Sequence, residues 1–194
     1  RALLMDFQAT LEIKPEKAIK LEKDALALIT EITADNAHLV SNLHSNLGGL
    51  YRMNGYPDLA REHMEKGLFL LEQYHLLYTH DSIPQITNYA MLLIEQHSPE
   101  KGISVLQKVS KIIKEYNSDC NLDYAAVQET LGTIYLMNAD FSQAQTHFKR
   151  AFKVYKKIWD DEPEMIEKKY REIQELYPQV GFFLGQQLSN ALTE

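Results

Sequence analysis

Seven histidines, one cysteine and 27 carboxylates are what this 194-residue chain offers to chemistry. His75 and His80, with Asp81, are the densest grouping of metal-ligating types. Two ligands on one helix face sit four residues apart, and these histidines are five apart, so they read as polar loop residues. The patterns that carry catalysis are missing: there is no phosphate-binding glycine loop, no His-Glu-x-x-His, no Cys-x-x-Cys and no Gly-x-Ser-x-Gly. Nothing singles out two of the carboxylates as a general acid and base. The expectation is a protein without catalytic residues, metal or cofactor, hence not an enzyme.

The elements that would position any site are set by an internal repeat. Pro15, Pro57 and Pro99 lie 42 residues apart. In that frame the columns read Met5, Leu47, Tyr89, Leu131, then Asp6, Gly48, Ala90, Gly132, then Ala9, Tyr51, Leu93, Tyr135. The second half of the unit gives Ala18, Ala60, Gly102, Ala144, then Glu22, Met64, Leu106, Phe148, then Ala25, Gly67, Val109, Ala151. His63 and His147 fall on equivalent positions two periods apart, which points to a structural role. The first copy is weak in its first half, where Asp6 and Ala9 break the pattern.

Each unit reads as two helices. Leu43, Leu47, Leu50 and Tyr51 form one stripe, and Ala144, Phe148, Ala151, Phe152 and Tyr155 form another. Met53–Tyr56 and Met137–Asp140 read as turns between them. Pro57 and Pro99 fit the first position of a second helix, where the missing N–H has no intrahelical partner to lose. Ser98 is a candidate cap, and Asp140 with Gln143 resembles a capping box. The small residues at 48, 90 and 132, and at 18, 60, 102 and 144, allow two helices to approach closely. No segment alternates with a period of two. The fold class expected is all-α, a right-handed α-solenoid of antiparallel helix pairs.

The columns Leu47-Gly48-x₂-Tyr51, Ala60-x₃-Met64 and Gly67, and again Leu131-Gly132-x₂-Tyr135, Ala144-x₃-Phe148 and Ala151, resemble the tetratricopeptide repeat (TPR). The copy between them is degenerate, and His44, Ile86 and Gln128 stand where that family carries a leading tryptophan. The unit is longer than the usual ~34 residues, which makes it similar to the kinesin light chain variety. HEAT repeats share the period but not these columns, and propeller blades would need strands. The implied organisation is four repeats at 1–40, 41–82, 83–124 and 125–166. A partial repeat and capping helix follow at 167–194, with Pro163 opening a charged helix before them.

Bulk properties agree with a single packed domain: 45% of residues are hydrophobic. A net charge of −7 argues against nucleic acid as the partner. The exception is Lys149, Arg150, Lys153, Lys156 and Lys157, read as a solvated outer face balanced by Asp160, Asp161, Glu162 and Glu164. Cys120 is the sole cysteine, so no intrachain disulfide forms and a reducing, cytoplasmic setting is expected. No apolar run reaches the ~18 residues of a membrane span, and no signal peptide is visible. The apolar opening at Arg1, without an initiator methionine, reads as a fragment whose Leu3, Leu4 and Phe7 pack on an upstream piece. After Pro178, the stripe Val180, Phe183, Leu184, Leu188 and Leu192 is expected to cap the solenoid. The alternative is a homodimer through that helix.

The resemblance also implies where a partner sits. The first helix of each pair lines a concave groove, which here comprises Asn42, Ser45, Asn46, Gly49 and Arg52, then Thr87, Asn88 and Met91, then Glu129, Thr130, Thr133 and Met137. In the kinesin light chain type, asparagines on this face grip a ligand's backbone. Asn46 and Asn88 are one period apart, and an amide offers both donor and acceptor to an extended peptide. Both are expected to be exposed. Arg52 is the one basic residue in this set, so a lysine clamp for a terminal carboxylate is not expected. The function implied is a non-catalytic scaffold holding a protein or extended peptide. The alternatives are a peptide-sensing domain of a larger bacterial regulator and a structural self-association module.

Overall fold

The computed structural model describes residues 1–117 and 121–176. Cys120 and the stripe expected after Pro178 lie outside them. Among the described residues every regular element is helical: α1 (Ala2–Leu11), α2 (Pro15–Ala27), α3 (Ala37–Met53), α4 (Pro57–Gln73), α5 (Ile83–Glu95), α6 (Pro99–Asn117), α7 (Leu122–Met137), α8 (Phe141–Ile158) and α9 (Pro163–Leu176). A short 3₁₀ turn, His80–Ser82, precedes α5 and holds two of the candidate metal ligands. No helix among the described residues is long and apolar enough to cross a membrane. Prolines open α2, α4 and α6, as the spacing predicts, and Pro163 opens α9. Two of the first helices start earlier than the 42-residue frame suggested, at Ala37 and Leu122, whereas α5 starts on it at Ile83.

The chain divides into two compact units, residues 1–105 and 106–194, with the boundary inside α6. In the first unit α3 packs against α4 around Leu47, Tyr51, Ala60, Met64 and Leu92, with Ile19, Leu26 and Tyr89 against that cluster. In the second, α7 packs on α8 with Leu131, Ile134, Phe148, Ala151, Val154 and Tyr155 all buried.

The small-residue columns act as the spacing implied. A Cβ added to Gly48 would lie 2.5 Å from Met64 Cγ, and one on Gly132 would meet the Phe148 ring at 3.0 Å. A Cβ on Gly102 would lie 2.6 Å from the Ala90 carbonyl oxygen, a backbone atom that cannot step aside.

The turns inside the pairs repeat to the residue. Gly55, His97 and Ala139 all have positive φ, at 79° for the glycine and 59° for each of the other two. In each turn the next N–H reaches back five residues: Tyr56 to Tyr51 (2.9 Å), Ser98 to Leu93 (2.8 Å) and Asp140 to Tyr135 (2.8 Å). This is the Schellman closure, with the left-handed residue just past the helix. Glycine occupies that position once, and a histidine and an alanine take it in the other two copies. Asp140 then caps α8, accepting the Gln143 N–H at 3.1 Å.

Candidate functional site

Within the first unit, α3 is tied to its neighbours by polar side chains on its first-helix face. Gln85 on α5 donates from Nε2 to Asn42 Oδ1 (2.6 Å) and accepts from Ser41 Oγ (2.6 Å). Arg52 pairs with Glu95 at 3.6 Å. Asn46 donates from Nδ2 to Asp6 Oδ1 on α1 (2.8 Å) and to Glu22 Oε1 on α2 (3.2 Å).

These contacts sort the expected groove residues. Ser45 is buried, so it lines no open surface. Asn46 is half-buried with its amide engaged by two carboxyl groups, against the expectation that it is exposed. Asn88 is exposed, and its amide makes no hydrogen bond among the described residues. The two asparagines are thus equivalent in the repeat and unequal in state. Thr87 spends its hydroxyl on its own helix, at the Ile83 carbonyl (2.9 Å). Gly49 and Met91 are half-exposed, and nothing lies within 4 Å of a Cβ built on Gly49.

In the second unit, Glu129 is held twice: Tyr155 donates its hydroxyl to Oε2 (2.7 Å), and Lys169 on α9 pairs with Oε1 (3.1 Å). Burial, with Glu129 beside it, pushes the Tyr155 phenol well above its usual range. Thr130 bonds the Ala126 carbonyl of its own helix (2.9 Å). Thr133 is half-exposed and Met137 exposed. Near Glu129 opens a cleft of about 300 Å³ lined by Leu122, Ala126, Tyr155, Trp159, Met165, Lys168, Lys169 and Glu172. Its aromatic wall is a parallel stack, Tyr155 on Trp159 at 4.8 Å.

Two features escaped the sequence reading. The first is the carboxyl pair under Asn46. Glu22 is 1% exposed, and its Oε2 has no hydrogen-bond partner. Burial, then the charge of Asp6, raises its pKa to about 8, so it is neutral at pH 7. The signal was in the columns: Asp6 replaces Gly48 and Gly132, and Glu22 replaces Met64 and Phe148. Those residues touch in the later repeats, so the first repeat substitutes a carboxyl contact for a glycine–apolar one.

The second is what His63 and His147 do. His147 donates from Nδ1 to Gln128 Oε1 (2.9 Å) and stacks on Tyr135 (5.2 Å, 13°). His63 stacks on Tyr51 (5.4 Å, 27°), and its Nδ1 lies 2.9 Å from that of His44. One of those imidazoles must donate and the other accept. Burial holds His44 and His147 down to about 4, helped by His63 in the one case and Arg150 in the other, and it lowers His63 as well. Positions 44 and 128, which lack the family's tryptophan, thus carry the partner of a histidine repeated in register. No group of three metal-ligating side chains gathers among the described residues.

Residues 82–157 match the family model described as tetratricopeptide repeat. No curated protein matches the chain in sequence. Among solved structures, BtubC (BKLC) from P. vanneervenii aligns with a TM-score of 0.69 at 21% identity, over 87% of this chain and 67% of that one. A Podosopora anserina protein named for kinesin light chain, built of nearly identical TPR-like repeats, aligns at 0.62 and 15% identity, over 74% and 68%. A form of that protein with one residue substituted gives 0.64 at the same identity, over 75% and 69%. These likenesses are of fold.

Proposed function

From a chain whose residues 82–157 match the tetratricopeptide repeat, in an all-α solenoid fold of the kinesin-light-chain-like kind, we propose a non-catalytic scaffold in which the first helices of each unit, taken by itself, hold an extended segment of a partner protein. Repeats of this kind commonly serve as protein-interaction scaffolds. The carrying observation is the division of labour on those helices. Asn42, Asn46, Arg52 and Glu129 are spent on internal ties. In the first unit Asn88 and Met91 are left to solvent in whole or part; in the second Thr133 and Met137 are, and there the aromatic-walled cleft offers room for an apolar side chain of a ligand. Asn88 supplies the donor and acceptor that an extended backbone requires.

The test uses peptides selected on the chain from a random 12-residue library. Asn88→Ala should weaken the selected peptides by about fivefold, the worth of one hydrogen bond near 1 kcal/mol. Equal affinity for the chain and for its Asn88→Ala, Thr133→Ala and Met137→Ala variants would remove the first-helix face as the binding surface. Asn46→Ala is unsuitable, because it strips a partner from two carboxyl groups.

A further inference from the structure

We propose that the outer face of α8 is a docking surface for a short acidic segment of a partner protein, distinct from the first-helix face. Lys149, Arg150, Lys153, Lys156 and Lys157 follow one another at helical spacing, and all but the half-buried Lys156 are exposed. The opposite face of α8 is fixed in the core by His147, Phe148, Ala151, Phe152, Val154 and Tyr155, so the cations project from a rigid support.

Asp160, Asp161, Glu162 and Glu164 follow directly, and the balanced outer face expected from sequence would pair them with these cations. The structure forms no such pair: none of the five makes a salt bridge among the described residues. Lys156 and Lys157 lie in the last turn, where the helix dipole favours a positive charge. Lys149, Arg150 and Lys153 have no such local reason. Nor does the fold require them. Two periods earlier the same places on α4 hold Glu65, Lys66, Phe69, Glu72 and Gln73, and Lys66 is paired with Glu62.

The dimensions select the occupant. From 149 to 157 the helix rises about 12 Å, the reach of about four extended residues. Beyond it the exposed carboxylates at 160–164 would meet anything that continued along the axis. A run of four to six Asp or Glu fits between these limits. A duplex phosphate backbone or an anionic bilayer would press its charge against that acidic end, in a chain that already carries −7.

A fluorescein-labelled hexaglutamate peptide tests this by anisotropy against the full chain. Saturable binding that weakens with added salt is expected, with a loss of about tenfold or more in Lys149→Glu/Lys153→Glu. Lys149→Gln/Lys153→Gln should fall between, and helical circular dichroism should be unchanged in both. Asn88→Ala should bind the peptide as the parent does. The proposal is overturned by absent binding, by equal affinity in the reversed variant, or by loss in Asn88→Ala, which would move the acidic segment to the other face. It is equally overturned if duplex DNA or phosphatidylserine vesicles bind more tightly than the peptide and lose that binding in the reversed variant.

Discussion

At the scale of single residues, the first unit contains two titrating devices of opposite sign. Glu22 holds its proton up to about pH 8 in the fold and to about 4.5 when unfolded. Its contribution to stability is therefore complete below pH 4.5, falls as pH rises, and is gone above 8. His44 binds its proton near 4 in the fold and near 6.5 when unfolded, so its contribution is present above 6.5 and lost as pH falls towards 4. Between 4.5 and 6.5 the two slopes oppose each other; between 6.5 and 8 Glu22 acts alone. Glu22→Gln keeps a donor for Asp6 without the titration, and thermal unfolding of that variant should stay level from pH 6.5 to 8 where the parent declines. A parallel decline in both would show that Glu22 is ionised in the fold. The second unit suggests its own replacement for the other device: His44→Gln copies Gln128, leaving His63 an amide oxygen to bond. It should change stability at pH 7 by no more than about 1 kcal/mol and shift acid unfolding to lower pH, both readable from denaturant titrations.

At the scale of elements, the turns inside the helix pairs are governed by one left-handed residue each. A non-glycine there costs roughly 1–2 kcal/mol, partly offset by the extra freedom glycine loses on folding. Ala139→Gly should accordingly stabilise the α7–α8 pair by about 0.5–1 kcal/mol, seen as a higher denaturant midpoint with an unchanged slope; a lower midpoint would mean the turn tolerates alanine without strain. The helices and their pairing were legible because they rest on short-range rules: prolines at first positions, apolar stripes, and small residues where helices touch. The left-handed conformation of His97 and Ala139 was less legible, since neither residue type announces it; only the register with Gly55 does. The groove was legible as a list of positions but not as a set of available groups. Whether Asn46 is free depends on Asp6 and Glu22, 40 and 24 residues away; the columns marked Asp6 as a departure, but not Glu22, and did not say that the two meet.

At the scale of the whole molecule, the two units respond differently to pH. The raised carboxyl lies in the first, whereas the described residues of the second hold a depressed histidine, His147, which matters in acid, and the raised phenol of Tyr155, which stays neutral throughout this range. The one tryptophan, Trp159, is in the second unit and stacked on Tyr155, so its fluorescence reports that unit alone. At pH 8.5 the helical signal of the full chain should begin to melt before the Trp159 signal, and the gap should narrow in Glu22→Gln. Coincident transitions in both proteins would show instead that the chain unfolds as one cooperative body.

The identical closure after α3, α5 and α7 also bears on how such a chain changes length. A stretch copied from Tyr56 to His97 and rejoined after His97 starts with the residue whose N–H completes a Schellman turn and ends with a left-handed one. The one new joint, His97 to Tyr56, therefore repeats the geometry of a junction the chain already makes, and the copied segment brings its own N1 proline at 57. Tandem duplication of this one-period stretch lengthens the array without inventing a new turn, whereas a copy one residue longer or shorter would carry every column after the joint out of register.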